Sequence, residues 1–432
     1  MKINRVILHG FRGIQKIDIS LDDRMTVFIG ANGAGKSSVL DALAKLLSWA
    51  VARIRRPAGA GHAISEHDIQ NGEIKTVIRA EASTSESLGW QLVKYRSGHS
   101  RSDENTDLLM ISEYAKTIQK QITESNEQCN IPIFAYYPVN RVVLDIPLRI
   151  RKSHKFGLLE AWDDSLTSAA NFRSFFEWFR NREDLENENR KYHDEFIRPE
   201  GWNFPDPQLE AVRRALESFL PEFSNFSVRR NPLRMTVMKR GQEMRIEQLS
   251  NGEKCLIALV ADIARRLSIA NPCLSDPLNG IGIVLIDEID MHLHPGWQRM
   301  VLPKLMATFP NCQFIVSTHS PQILGEIDAA RIRILSQDEN NFIRLSVPKQ
   351  SRGLSSNQIL DELMKPLTED RALSQNSNDA EKVESVFRLI EEEKFSEAEE
   401  EIKQLQLLFH GDTPELVRAK ALITMLEPEA TE

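Results

Sequence analysis

Apolar and polar positions alternate through the first part of the chain in a pattern that predicts strands. Within residues 2–29 the alternation breaks at Gly13 and at Asp22-Asp23, which predicts a meander that ends in the apolar run Met25–Ile29. The spacing then changes, and from Ser38–Val51 apolar residues recur at intervals of three and four, as on the buried face of a helix. Strands therefore lead into an amphipathic helix.

Later segments contain continuous apolar runs instead of alternation. These runs are Ile131–Tyr137, Ile283–Ile286 and Phe314–Val316. Uninterrupted runs rich in β-branched residues are typical of strands buried on both faces of a sheet. Two more strands, at 332–335 and 342–347, are expected to close the sheet. The sequence predicts an α/β fold in which helices flank a mixed sheet.

Two segments have helical patterns of a different composition. Residues 158–220 are rich in charged and aromatic residues, and the aromatic cluster Phe172–Phe179 is more typical of a core than of a base-stacking platform. Residues 379–425 form an acidic two-helix pattern, suited to oligomer or partner contacts or to packing on its own domain. We predict four segments: a first lobe at 1–150, a helical insertion at 151–224, a second lobe at 225–347 and a helical extension at 348–432.

Composition narrows the class of protein. With 432 residues, 41% hydrophobic and 27% charged, the chain is typical of a soluble globular protein. Its net charge of −8 argues against a wholly basic nucleic-acid binder. The basic run 149–155 is expected to be a solvated loop, with a nucleic-acid or phosphate contact as the minority interpretation. The four cysteines are far apart and no apolar run is long enough to span a membrane, so we expect a cytoplasmic protein with no membrane partner.

A glycine-rich loop joins the third strand to the first helix. Its pattern, GxxxxGKS at 30–37, is that of a phosphate-binding P-loop in its required strand–loop–helix context. Backbone N–H groups and the helix N-terminus would bind phosphate oxygens, Lys36 would reach the β- and γ-phosphates, and the Ser37 hydroxyl would bind Mg²⁺. The predicted nucleotide-binding residues are Gly30, Ala31, Asn32, Gly33, Ala34, Gly35, Lys36, Ser37 and Ser38.

Polar residues follow two of the predicted buried strands. Asp287 is predicted to bind Mg²⁺ beside Ser37, and Glu288 to act as the general base that activates water. Because successive strand residues point in opposite directions, we expect one carboxylate to contact the metal ion and the other to contact the water. His319, at the end of the next strand, is positioned to sense the γ-phosphate.

His292 and His294 could be taken for a metal-binding HxH pair. The sequence offers no further histidine or carboxylate at a spacing that would complete the site, so both are predicted to be structural.

The segment Leu249–Glu253, which precedes a helix, is similar to the signature motif of ABC-type ATPases. With the P-loop, Asp287-Glu288, Asp290 and His319, it makes the ATPase parts of the chain, 1–150 and 225–347, resemble the SMC/Rad50/RecF class. That resemblance implies ATP and Mg²⁺ as ligands and head-to-tail nucleotide sandwiches between at least two subunits. The signature residues expected to act on another subunit's nucleotide are Ser250, Asn251, Gly252 and Glu253.

More narrowly, Asp287–Asp290, Leu293–Pro295 and Ser317–Pro321 are similar to anti-phage ATPases of the overcoming-lysogenisation-defect and Septu (PtuA) types. Two departures from these families matter. Asn140 stands where the class has a metal-contacting glutamine, and no Toprim nuclease motif follows His319. The resemblance therefore implies a Septu-like or retron-associated ATPase without nuclease activity of its own. Its expected partners are an HNH nuclease and, in a retron, reverse transcriptase with its msDNA.

Two alternative functions belong to other classes. A RecF-like ATPase for DNA repair would bind duplex DNA through local basic patches, and the net acidity of the chain speaks mildly against it. A transporter ATPase subunit is disfavoured by the helical insertion and by the RecF-like start Phe11-Arg12-Gly13.

Overall fold

The structure is a computed structural model that describes residues 1–99, 104–139, 156–167, 172–193, 202–338, 342–363, 377–409, 411 and 413–426. The strands of the described residues are β1 (Lys2–Phe11), β2 (Ile14–Ser20), β3 (Met25–Ile29), β4 (Lys75–Ser83), β5 (Ser87–Tyr95), β6 (Ile133–Tyr137), β7 (Phe223–Arg230), β8 (Leu233–Lys239), β9 (Gln242–Arg245), β10 (Gly282–Ile286), β11 (Cys312–Ser317), β12 (Ile332–Gln337) and β13 (Ile343–Ser346). The α-helices are α1 (Lys36–Arg55), α2 (Leu109–Glu124), α3 (Phe172–Arg190), α4 (Pro207–Phe219), α5 (Asn251–Ala270), α6 (Pro295–Thr308), α7 (Pro321–Leu324), α8 (Ser356–Leu363), α9 (Ser377–Glu391), α10 (Phe395–Phe409) and α11 (Pro414–Leu426). This alternation confirms the predicted α/β class.

The central sheet has the strand order β13-β12-β3-β11-β10-β6. Neighbours from β12 to β6 are parallel, and β13 pairs with β12 in the antiparallel direction, so the sheet is mixed as predicted. Every residue of β3, β6, β10 and β11 is buried, which explains why these strands are continuous apolar runs. The carboxyl ends of five parallel strands therefore meet at one edge.

Two antiparallel sheets accompany the central one. The first has the order β2-β1-β4-β5, and its buried and exposed residues alternate along β2 and β4 because one face is covered. The second is the three-stranded meander β7-β8-β9, which leads into α5. The meander predicted at the start of the chain is therefore split: β1 and β2 pair with each other, whereas β3 belongs to the central sheet.

Helix α5 is the most enclosed helix of the described chain, with 18 residues buried. Three of these buried residues carry charged side chains that pair with one another. The Asp262 carboxylate accepts hydrogen bonds from Arg265 and Arg266 at 2.7 Å each. The hydroxyl of Tyr137, the last residue of β6, donates to the same carboxylate at 2.9 Å. The two arginines lower the pKa of Asp262 to about 2 against the opposing effect of burial.

Helices α3 and α4 lie between β6 and β7 in the chain. The aromatic residues predicted to form a core there are almost fully buried: Phe172, Phe175, Phe176, Trp178 and Phe179. The basic run 149–155 and Asn140 lie outside the described residues.

The chain divides into two compact units, Met1–Gly353 and Leu354–Glu432. The second unit has its own core, to which α9, α10 and α11 contribute Val386, Ile402 and Leu416. The prediction of two helices in this region is wrong, since there are three. Glu393 has a left-handed backbone (φ 60°) in the turn that ends α9, and Pro414 begins α11.

Helix α2 was not predicted from the sequence. Its buried residues are Ile111, Ala115 and Ile118, a stripe too narrow to stand out among the polar residues around it. None of the helices in the described part of the chain is long and apolar enough to cross a membrane.

The buried ion cluster generates a stability prediction. Asp262→Ala should lower the free energy of unfolding by about 3–5 kcal/mol, because it leaves two buried guanidinium groups without their carboxylate. Since folding depresses the pKa of Asp262 to about 2, its contribution is fully present above the unfolded pKa of about 3.9 and is lost as pH falls towards 2. Urea denaturation at several pH values measures both effects.

A surface pair supplies the control for this measurement. Glu222→Gln breaks the exposed ion pair with Arg240, whose atoms are 2.7 Å apart, and should leave the urea midpoint close to that of the unchanged protein. Equal losses in the two variants would contradict the importance of the buried cluster.

Candidate functional site

The P-loop lies between the end of β3 and the start of α1, as predicted. Gly30 approaches β12 so closely that an added Cβ atom would be 2.1 Å from the carbonyl oxygen of Leu335. Gly35 caps the N-terminus of α1 with a left-handed backbone (φ 93°), a conformation that favours glycine. These two glycines bring the loop back over the N-terminus of the helix, where free backbone N–H groups favour anions.

The side chain of Lys36 is buried beneath this loop. Its ammonium group donates hydrogen bonds to the carbonyl oxygens of Gly30 (2.9 Å) and Ala31 (3.0 Å). Burial lowers the pKa of Lys36, and the negative charges of Asp287, Glu288 and Asp290 oppose that shift. The ammonium is thus close to both the loop and the acids that follow β10.

Asp287 and Glu288 are the first residues after β10, and a serine of β11 binds both. The Ser317 hydroxyl donates to the Asp287 carboxylate (2.5 Å) and accepts the backbone N–H of Glu288 (2.8 Å). The expectation that strand alternation separates the two carboxylates is wrong, since β10 ends at Ile286. Glu288 instead has a left-handed backbone (φ 47°), and this turn changes the chain direction between the two acids.

Asp290 and His319 lie beside this pair. The Asp290 carboxylate accepts the Thr318 hydroxyl at 2.6 Å and the backbone N–H of His319 at 3.3 Å. Burial lowers the pKa of His319, the charge of Lys36 lowers it further, and the three nearby acids oppose the shift. These effects together favour the neutral form of the imidazole. The structure brings together Lys36, Asp287, Glu288 and His319.

The signature segment is held by contacts of its own. Ser250 caps α5 and its side chain exchanges hydrogen bonds with Glu253 in a capping box. Glu253 also accepts the ammonium of Lys239 at 2.6 Å. Gly252 packs against the backbone of His292, where a Cβ atom would be 2.5 Å from the carbonyl oxygen. Ser250 and Asn251 remain exposed, whereas Gly252 and Glu253 are buried.

The two histidines that resemble a metal pair have backbone roles. The Nδ1 atom of His294 accepts the N–H of Gly296 at the start of α6, and His292 has a left-handed backbone (φ 64°). Within the described residues no group of three or more His, Cys, Asp and Glu side chains is arranged to hold a metal ion. That the pair is structural stays a prediction.

Sequence reasoning missed a polar network beside the site. The Arg12 guanidinium donates to Asp41 of α1 and to Asp68, at 2.5 and 2.9 Å. The Tyr136 hydroxyl donates to Asp41 at 2.7 Å, and burial and the charges of Asp41 and Asp287 raise the pKa of Tyr136. Arg12 belongs to the segment Phe11-Arg12-Gly13 noted in the sequence. That segment was the only feature of the sequence that pointed to this network. The network fixes α1 against the end of β6.

These features define a P-loop ATPase of the ABC class, with a phosphate loop, two acids after a buried strand and a capped signature helix. A family model described as "AAA domain, putative AbiEii toxin, Type IV TA system" matches residues 25–325, which include all of these elements. The chain belongs to this family.

Curated relatives extend over most of the chain. The retron Vc95 probable ATPase of Vibrio cholerae serotype O1 biovar El Tor is 32% identical over 407 residues, covering 83% of this chain and 78% of the relative. The retron Ec83 probable ATPase of Escherichia coli is 30% identical over 422 residues, covering 84% and 76%. The Septu protein PtuA of Bacillus thuringiensis is 22% identical over 434 residues, covering 95% of each. These matches confirm the predicted resemblance, and the chain is an ATPase.

The contacts of Lys36 generate a binding prediction. Lys36→Ala should abolish ATP binding, because it removes the cation at the centre of the phosphate loop. Equilibrium titration with a fluorescent ATP analogue measures this. Lys45→Ala is the matched control, since Lys45 lies on the same helix and pairs with Asp68 at 3.3 Å. Unchanged affinity in the Lys36 variant would remove the P-loop assignment.

Proposed function

We propose that the chain hydrolyses ATP at a composite site between subunits and that this cycle regulates a separate nuclease in anti-phage defence. The observation that carries the proposal is the meeting of Lys36, Asp287, Glu288 and His319 at one sheet edge, while the signature segment has exposed Ser250 and Asn251. Lys36 and the N-terminus of α1 bind the phosphates and orient them.

The donor atoms at this edge suit Mg²⁺. This ion is commonly held by one or two carboxylates together with substrate phosphates, and Asp287 and the Ser37 hydroxyl supply oxygen ligands of that kind. The ion would neutralise charge on the phosphate oxygens. We propose no role for Asn140, which lies outside the described residues.

Glu288 is the proposed general base. Its backbone is held by two hydrogen bonds, one from its N–H to the Ser317 hydroxyl and one from the Met291 N–H to its carbonyl oxygen, at 2.8 and 3.0 Å. The carboxylate accepts the proton of the attacking water. We propose that half-buried His319 donates a hydrogen bond to the γ-phosphate, since it lies near the charges of Lys36, Asp287 and Glu288.

Oligomerisation is part of the proposed site. The hydrogen bonds of Ser250 and Glu253 are made to each other and to Lys239, all on the signature side of the chain. We propose that Ser250–Glu253 of one subunit complete the nucleotide site of another, giving at least a dimer. The segment 348–432 is proposed to supply further oligomer or partner contacts.

The charge of the second unit bears on the kind of partner that the chain would bind. The unit Leu354–Glu432 has 19 Asp and Glu residues against eight Lys and Arg, whereas Met1–Gly353 has 43 against 46. So acidic a unit favours a partner with a basic contact surface. We propose an HNH nuclease as that partner and, in a retron, reverse transcriptase with its msDNA, in the cytoplasm. Copurification with the products of neighbouring genes, followed by mass measurement of the complex, tests this.

One alternative function remains, because the unit Met1–Gly353 is nearly neutral in charge. A RecF-like ATPase would contact duplex DNA through that unit, since its 46 Lys and Arg residues slightly exceed its 43 acidic ones. This alternative requires hydrolysis that is stimulated by duplex DNA and that falls steeply with salt. Hydrolysis that is indifferent to DNA supports the nuclease-regulating function.

Loss of the base generates a rate prediction. Glu288→Gln should retain ATP binding and slow turnover at least ~100-fold, because the amide cannot accept the proton of the attacking water. Steady-state phosphate release measures turnover, and Glu326→Gln serves as an exposed control in the same unit. Normal turnover in the Glu288 variant would assign the base elsewhere.

The composite site generates a complementation prediction. Ser250→Arg should abolish hydrolysis while its own P-loop still binds ATP. Mixing this variant with Lys36→Ala should restore part of the activity, because the first contributes an intact P-loop and the second an intact signature to the same site. Phosphate release across mixing ratios measures this. A mixture that stays inactive, or a Ser250 variant that still hydrolyses ATP, would overturn the composite model.

A further inference from the structure

Ser317, the last residue of β11, has no exposed surface and contacts two consecutive acids. Its hydroxyl donates to Oδ1 of Asp287 at 2.5 Å and accepts the N–H of Glu288 at 2.8 Å. Its backbone carbonyl accepts the N–H of Ile289 at 3.0 Å. One serine therefore binds three successive residues of the segment that follows β10.

Each of these bonds restricts a different degree of freedom. The bond to Asp287 limits rotation of a carboxylate that is only 2% exposed. The bonds to Glu288 and Ile289 hold the backbone on both sides of Glu288, where φ is 47°. A residue other than glycine adopts that conformation at a cost and keeps it only where its surroundings enforce it.

We propose that Ser317 is a positioning residue for ATP hydrolysis, which sets the Asp287 carboxylate and the backbone of Glu288 through one hydroxyl group. The inference rests on the proposed roles of those two acids. Ser317 touches neither the phosphate loop nor Lys36 through the bonds described, so its effect falls on the hydrolytic step and not on nucleotide capture. A serine that only completed the strand end would affect stability alone.

The central variant is Ser317→Ala, which removes the donor and the acceptor together. We expect kcat for ATP to fall about 10- to 100-fold with KM changed less than about threefold, since small misplacements of reacting groups cost rates of this size. The Mg²⁺ concentration for half-maximal rate should rise, because the Asp287 carboxylate loses its orienting donor. Ser317→Thr keeps the hydroxyl and should recover most of kcat.

A neighbouring serine is the matched control. Ser320 is also buried, but its hydroxyl donates to Gln298 at 2.7 Å and its side chain caps α7, with no bond to either acid. Ser320→Ala should keep kcat and the Mg²⁺ dependence. Ser317→Cys is the second variant in case Ser317→Ala unfolds, since it keeps most of the volume with a weak donor and should give an intermediate kcat.

The outcomes separate this inference from the proposed function. A folded Ser317→Ala protein with kcat within about twofold of the unchanged protein overturns the positioning role while Glu288→Gln remains slow. A loss that threonine does not recover, or one matched by Ser320→Ala, also overturns it. Normal turnover of Glu288→Gln would instead show that Glu288 is not the general base. In the double variant with Glu288→Gln, Ser317→Ala should slow turnover by much less than it does alone.

Discussion

The parallel pairing of β3, β11, β10 and β6 is the constraint on which the site depends. In this register Ser317 pairs with Phe28, and Ile286 pairs with both Val316 and Tyr137. The phosphate loop, His319 and Asp287 consequently leave the sheet at the same edge. A slip of one residue would turn every side chain of a strand to its opposite face. The register of these buried strands is therefore as necessary to the site as the polar residues that follow them.

The sequence was sufficient for features that are local in the chain. The P-loop, the strand ending before Asp287-Glu288 and the helix after Ser250 are each visible within about ten residues, and the structure has them where they were expected. The sequence could not show that a side chain at position 30 would clash with the backbone, since the clash is with Leu335, which is distant in the chain. The function of Ser317 was hidden for the same reason, because it depends on which strand lies beside β10.

The errors in the sequence reasoning also have physical causes. Alternation could not describe Asp287 and Glu288, because a left-handed residue follows the strand and alternation ends with it. Helix α2 was not predicted because a helix that packs along a narrow stripe needs few apolar residues, and so few leave little periodic pattern in the sequence. The helical pattern at 379–425 was interpreted as two helices, although proline is well suited to a first turn and Pro414 begins a third.

Tyr137 joins two parts of the molecule that were described separately. Its carbonyl oxygen accepts the N–H of Asp287, and its hydroxyl donates to Asp262 of the helix that begins at the signature. Both bonds are buried, so breaking either without a replacement is costly. The helix that follows the signature segment and Asp287 are in this way attached to one buried aromatic residue. Because the hydroxyl and the carbonyl group of one residue make these two bonds, a change that shifts Asp262 would also displace the backbone of Asp287.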